Sequence, residues 1–314
     1  MFDRRLVALS LVLVLCCAVF LGWDLKGRVW FILELRATKL AGLVLVGASI
    51  GLATVLFQTL SANRILTPSI MGFDALFLLM QTVLLLALGG SVYVQLGGPV
   101  EFLIETSVMM IAAAVLFGTV LGHGTQDLHR MILTGVIFAV LFQSLRAFLV
   151  RIIDPNDFAV LQGEMFASFG AIDQHQLAIA GLCFAVVVGG MLRFVAELDV
   201  IALGRPHAIS LGVSFKWRQI QILFAIAILV SISTALVGPV TFLGLLVTSL
   251  THALMRTHEH RLLLPAAALI AASILVAGQF AFERVLKMQS TLSILIEFFG
   301  GLLFLILVLR GKAR

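Results

Sequence analysis

The sequence predicts an all-α polytopic membrane protein of about ten transmembrane helices, and three observations carry that expectation. Of 314 residues, 61% are hydrophobic and only 12% are charged. Mean hydropathy is +1.15, well above that of chains folded in water. The apolar residues come in runs of about 20, the length of one helical crossing, and no polar stretch is long enough to make a separate soluble domain. A single aqueous core cannot hide that much apolar surface, whereas a bilayer interior is as apolar as the side chains themselves. Glycine is common at 27 residues and proline rare at 6, a balance that suits helices packed closely through small residues. Residues 1–314 are therefore expected to form a single transmembrane domain.

The runs follow in order. The first, 6–22, comes after Met1-Phe2-Asp3-Arg4-Arg5 and has the outline of a secretory signal. No small residue precedes Cys16 and nine further runs follow, so an uncleaved first helix is expected. Runs at 38–60 and 71–90 are joined by a turn in which Asn63 and Pro68-Ser69-Ile70-Met71-Gly72 break the helix. Three more occupy 102–121, 130–150 and 177–196. The segment 197–217 then forms the longest connection on the expected cytoplasmic face. It reads as two short helices broken at Gly204 and Gly212, with Leu203, Ile209 and Leu211 as an apolar strip and Arg205, Lys216 and Arg218 as a charged rim. Such a protruding, partly apolar loop suits contact with a soluble partner. The last four runs are 218–237, 240–255, 262–282 and 292–309, of which 240–255 is shortest because Gly238-Pro239 interrupts the pattern.

Lys and Arg set the orientation. With a cytoplasmic N-terminus, 13 basic residues fall inside and 8 outside, the direction of the positive-inside rule. An even number of crossings then puts both termini in the cytoplasm. The net charge of +5 is scattered over helix ends rather than gathered in a stripe, which argues against nucleic acid as a partner. Cys16, Cys17 and Cys183 lie inside apolar runs and read as reduced packing residues.

Several chemistries are missing. No Gly-x-x-x-x-Gly-Lys-Ser/Thr phosphate loop occurs, so any ATP must be hydrolysed by another chain. Candidates for an intramembrane ion relay are few: Asp74 reads as a helix-start or interface residue, and Glu101, Glu105 and Glu297 sit near predicted span ends. His252, His258 and His260 read as interfacial charge rather than as a metal site. Asp154-Pro-Asn-Asp157 is the single hint of the paired aspartates a membrane prenyltransferase needs, and it lies on the outer face. A membrane-embedded enzyme is therefore disfavoured.

Motifs spread along the chain carry a resemblance. Leu35-Arg36-Ala37-Thr38-Lys39-Leu40-Ala41-Gly42-Leu43-Val44-Leu45-Val46-Gly47-Ala48, continuing to Gln58 and then Asn63 through Gly72, resembles the second span and following turn of the FecCD family. Leu203-Gly204 with Ala208 and Leu211-Gly212-Val213 resembles that family's cytoplasmic coupling segment. The run from Gly238-Pro239 through Gly244 to Val247 resembles its glycine-rich signature, and His260-Arg261 with Pro265 falls where its next cytoplasmic loop would be. Departures occur too: Ala37 and Thr38 stand where similar chains carry a proline, Thr248-Ser249 where they carry Pro-His, and Gln279 with Arg284 where they carry an Asp and Arg pair.

The resemblance implies a permease subunit of an ATP-binding-cassette importer that moves an iron-siderophore complex across the bacterial cytoplasmic membrane. Its implied partners are a second permease copy or paralogue, two cytoplasmic ATPases, and an extracytoplasmic binding protein. This chain would bind no cofactor or metal of its own, since ATP is used by the partners and iron travels already chelated. Arg36, Lys39 and Arg284 are the implied docking residues for the binding protein. Leu203, Gly204, Arg205, Ala208, Leu211 and Gly212 are implied to couple to the ATPases, and Asn63, Pro68, Gly72, Gly238, Pro239 and Gly244 to be structural motif positions. The path is expected among the fifth, eighth and tenth spans. The alternative is an ion-coupled secondary transporter for a small metal chelate, for which relay residues are hard to find.

Overall fold

The computed structural model describes residues 4–24, 27–90, 93, 98–122, 128–164, 167–170, 172–286 and 292–309, and no strand occurs among them. Each expected apolar run falls mainly on one helix. These are α1 (Arg4–Gly22), α2 (Val29–Ser61), α3 (Phe73–Leu88), α4 (Pro99–Gly122) and α5 (Leu128–Val150), followed after a short α6 (Pro155–Glu164) by α7 (Gln174–Met191). Two short helices, α8 (Val195–Ile201) and α9 (Arg205–Ser210), precede α10 (Phe215–Val237), α11 (Leu243–Met255), α12 (His260–Phe280) and α13 (Leu292–Leu309). Among the described residues, six helical stretches are long and apolar enough to cross a membrane, and those at Phe73–Leu88, Leu243–Met255 and Leu292–Ile306 are shorter apolar helices.

Several boundaries differ from the sequence expectation, among them the run at 177–196, whose last residues lie beyond the end of α7 at Met191. Helix α2 begins at Val29 rather than near 38 and runs for 33 residues, about 50 Å at the helical rise, against a hydrocarbon core of about 30 Å. Arg36 and Lys39 mark the end of an apolar run, yet charge alone does not stop a helix. Helix α11 begins at Leu243 and not at 240, because Gly238 ends α10 with φ 93° and Pro239 follows it.

Helix α2 lies in the middle of the bundle, against α12 on one side and α10 on the other. The α2–α12 contact is made backbone to backbone. A β-carbon at Gly47 would fall 2.8 Å from the Ala272 nitrogen, and one at Gly51 would fall 2.8 Å from the Ala267 oxygen. Gly47 and Gly51 are four residues apart on one face, the spacing that lets two membrane helices touch through small residues. Around this centre, α1 and α11 pack on α12, α4 and α7 pack on α10, and α3 packs on α5. The outward faces are apolar: Leu11 and Leu15 on α1, Ile137 and Phe148 on α5, Leu182 and Val186 on α7, and Phe298 and Leu309 on α13 are all exposed. In water such a surface would drive aggregation; against acyl chains it carries no such penalty.

The bundle has two polar ends. One gathers the C-terminus of α1, the starts of α2 and α7, and the π-helical turn Ala281–Val285 after α12. At the other, Arg5 caps the Leu254 and Met255 carbonyls at 2.9 and 2.5 Å, and α8 meets the start of α12.

Candidate functional site

The three basic residues singled out for docking converge at the first end. Arg36, Lys39 and Arg284 line one cavity of about 390 Å3 together with Thr38, Asp173, Gln174 and Glu283. They are not equally available. Arg36 is 8% exposed, and its guanidinium donates to the Leu21 and Trp23 carbonyls at 2.9 and 2.6 Å. It thereby satisfies acceptors that the last turn of α1 leaves without helical partners. Lys39 forms an ion pair with Glu283, whose Oε1 also accepts from Gln279 Nε2 at 2.7 Å. Arg284, next in sequence, is exposed. Asp173 caps α7 by accepting the His175 and Gln176 amides at 2.8 and 3.2 Å, which fixes that helix start on the rim. Of the three, Arg284 is the cation displayed outward, Lys39 is balanced by an acid, and Arg36 is committed to the fold. The sequence reading has no place for Glu283, although its position beside Arg284 and four residues after Gln279 is the signal that could have found it.

The second end presents α8 and α9. Gly204 ahead of α9 and Gly212 behind it have φ of 93° and 85°, where a β-carbon is strained, so both breaks fall where the sequence placed them. Leu203, Ile209 and Leu211 are 59%, 51% and 64% exposed and form the expected apolar strip. Arg205 and Lys216 sit beside a groove of about 500 Å3 lined also by Ile209, Phe215 and Trp217. Two residues differ from expectation. Ala208 is fully buried, so it seats α9 on the bundle instead of facing a partner. Arg218 leaves the rim: its Nε and Nη2 donate to both Glu197 oxygens at 2.6 and 2.5 Å, and it stacks 5.1 Å over the Phe194 ring. A forked guanidinium-carboxylate pair of this kind fixes geometry as well as distance, here tying α8 to α10.

The motif positions hold turns and close contacts. Asn63 Oδ1 accepts the Ile65 amide at 3.0 Å, Pro68 opens the 3-10 turn Pro68–Met71, and the Gly72 amide closes it on the Ser69 carbonyl at 3.0 Å. The Gly238 amide donates to Thr234 O at 2.7 Å, Pro239 is buried, and a β-carbon at Gly244 would run into the Thr54 side chain. Asp74 is indeed a helix-start residue, accepting from Thr241 Oγ1 at 2.9 Å and from the Ser69 hydroxyl. Glu105 accepts from Gln81, which in turn accepts from Tyr93 Oη at 2.6 Å. His260, placed in a loop by its sequence, is 3% exposed and bridges Asp199 to Thr59. Among the described residues no group of three or more His, Cys, Asp or Glu is arranged to hold a metal.

An apolar helical bundle with a charged cavity at one end and two short helices at the other is the architecture of a multi-pass membrane protein. The FecCD transport family model matches residues 10–310, and the chain belongs to that family. It is 39% identical over 308 residues to the petrobactin import system permease protein YclO of Bacillus subtilis (strain 168), covering 98% of each chain. It is 32% identical over 282 residues to the petrobactin import system permease protein FatC of Bacillus anthracis, covering 90% of this chain and 80% of that one. Among solved structures, an inward-facing transporter of the metal-chelate ABC type superposes with a TM-score of 0.83 at 23% identity, covering 97% of this chain and 98% of that one. That likeness establishes the shared fold.

Proposed function

We propose that this chain is the membrane-spanning subunit of an ATP-driven importer for a ferric siderophore, with ferric petrobactin the first cargo to test. The observation that carries the reading is the end-to-end similarity to two petrobactin import permeases. The two polar ends support it. At the outer end, the exposed Arg284 and the Lys39 and Glu283 pair beside it offer a charged rim for a binding protein. Exposed charges of this kind chiefly set orientation and on-rate. At the cytoplasmic end, Leu203, Arg205, Ile209 and Leu211 form the face that two ATPase subunits would grip, while Gly204, Ala208 and Gly212 hold it in shape. A second permease, identical or paralogous, would cover the exposed apolar faces of α5 and α13 and enclose a path between α5, α11 and α13. The chain itself supplies no catalysis and binds no cofactor; nucleotide is spent by the partners, and both termini lie in the cytoplasm of the bacterial inner membrane.

The test is uptake of ferric petrobactin by cells lacking this gene and complemented with it. Restored uptake that stops on ATP depletion and survives collapse of the proton gradient is expected. Uptake that persists without ATP and stops with the gradient would instead establish the ion-coupled secondary transporter.

A further inference from the structure

We propose that Asp199, His260 and Thr59 are positioning residues: a strut that carries displacement of α8 and α9 into α12 and α2. His260 is the first residue of α12, and its ring is nearly sealed from solvent. One Asp199 oxygen accepts both the His260 amide at 2.8 Å and the Nδ1 side of the ring at 2.6 Å. The carboxylate thus caps α12 from a different helix, meeting an amide that has no acceptor within its own helix. The opposite ring nitrogen, Nε2, lies 2.6 Å from Thr59 Oγ1 on the last turn of α2, and that hydroxyl is also bonded to Val55 O at 2.8 Å. Three helices therefore meet on one imidazole.

The other attachments of α8 differ in kind. Leu198 and Ile201 are buried against the core, a non-directional contact that tolerates sliding. The fork from Arg218 to Glu197 ties α8 to α10. The His260 bridge is the hydrogen-bonded contact that grips α2 and α12 together, and those two helices are locked by backbone contact at Gly47 and Gly51. A push delivered at His260 thus reaches a pair that cannot shear easily. The same pair carries Lys39 on α2 and leads into Glu283 just beyond α12, at the rim of the outer cavity. The strut and the cavity are therefore the two ends of one lever.

This inference rests on the reading that α8 and α9 seat on the ATPase, so the experiment separates the two. The permease is co-expressed with its ATPase and reconstituted with its binding protein, and ferric petrobactin is supplied as the probe. Copurification, ATP hydrolysis and iron uptake are then measured on each variant. Asp199→Ala, His260→Ala and the near-isosteric Thr59→Val are expected to copurify with the ATPase and hydrolyse ATP. The ATP used per chelate imported should rise severalfold for the first two, which lose the part-buried charge-assisted bond, and less for the third. Asp199→Asn, which keeps the acceptor, is expected to restore most of the coupling. Unchanged stoichiometry in all of the variants, or a parallel fall in hydrolysis and uptake with no rescue by Asp199→Asn, overturns the strut while leaving the docking reading intact. Failure of the unaltered permease to hold the ATPase, or retention of the ATPase after Leu203, Ile209 and Leu211 are all changed to Asp, overturns the docking reading and the strut with it.

Discussion

At the scale of single residues, the rim lined by Arg36, Lys39 and Arg284 separates a charge committed to the fold from one left exposed. Arg36→Ala leaves two carbonyls at the end of α1 without their donor and is expected to cost about 1 to 3 kcal/mol. Thermal unfolding of the detergent-solubilised protein would read that loss. Arg284→Glu leaves the fold untouched, because the side chain is exposed. It should slow association of the binding protein several-fold at low ionic strength, with the deficit shrinking as salt screens it; on-rates measured across a salt series would check this. The three cations were singled out by the resemblance of their surrounding motifs to the FecCD family, since basic residues stand at the edges of many of the apolar runs. Their partners were not. Glu283 is 244 residues from Lys39 and Asp199 is 61 from His260, and no local periodicity links positions brought together by helix packing alone.

At the scale of elements, the α2–α12 interlock and the α9 turn make the sharpest demands. Gly47→Val or Gly51→Val places side-chain atoms against the backbone of α12 at 2.8 Å or less, where no rotamer change relieves the clash. Each is expected to destabilise by at least 1 to 3 kcal/mol, roughly the usual scale of overpacking. Gly189→Ala in α7 meets nothing within 4 Å and should be neutral or slightly stabilising, so comparing the three by thermal unfolding isolates the close approach. Gly204→Val and Gly212→Val each force a branched side chain into left-handed backbone, at roughly 1 to 2 kcal/mol, and should weaken copurification of the ATPase. Every long helix was legible as an apolar run, since hydrophobicity sustained over about 20 residues suits a membrane crossing and little else. Helix ends were less so. The first turns of α2 carry Glu34, Arg36 and Lys39 among their apolar residues, and α11 starts where a left-handed glycine and a proline release the chain, details set by backbone rather than by hydropathy.

At the scale of the whole molecule, the apolar girdle with polar ends was the most legible feature, because it follows from composition and run length alone. The sidedness of those ends can be measured directly. In a variant with Cys16, Cys17 and Cys183 replaced, Ile209→Cys and Arg284→Cys are expected to react with an impermeant thiol reagent from opposite faces of sealed membrane vesicles. Labelling of both from the same face would refute the topology. What composition could not reveal is how thin the bundle becomes at one place. Helix α11 has 13 residues, about 20 Å of helix, whereas the lipid interior is about 30 Å thick. The remainder of that passage is the uncoiled stretch 238–242, and bare peptide groups survive at such depth only when protein surrounds them. Here Thr241 is held by Asp74, and Phe242 packs against Gly300 and Phe304. The chain at this point is consequently held by side-chain contacts with α3 and α13 and not by continuous helical hydrogen bonding.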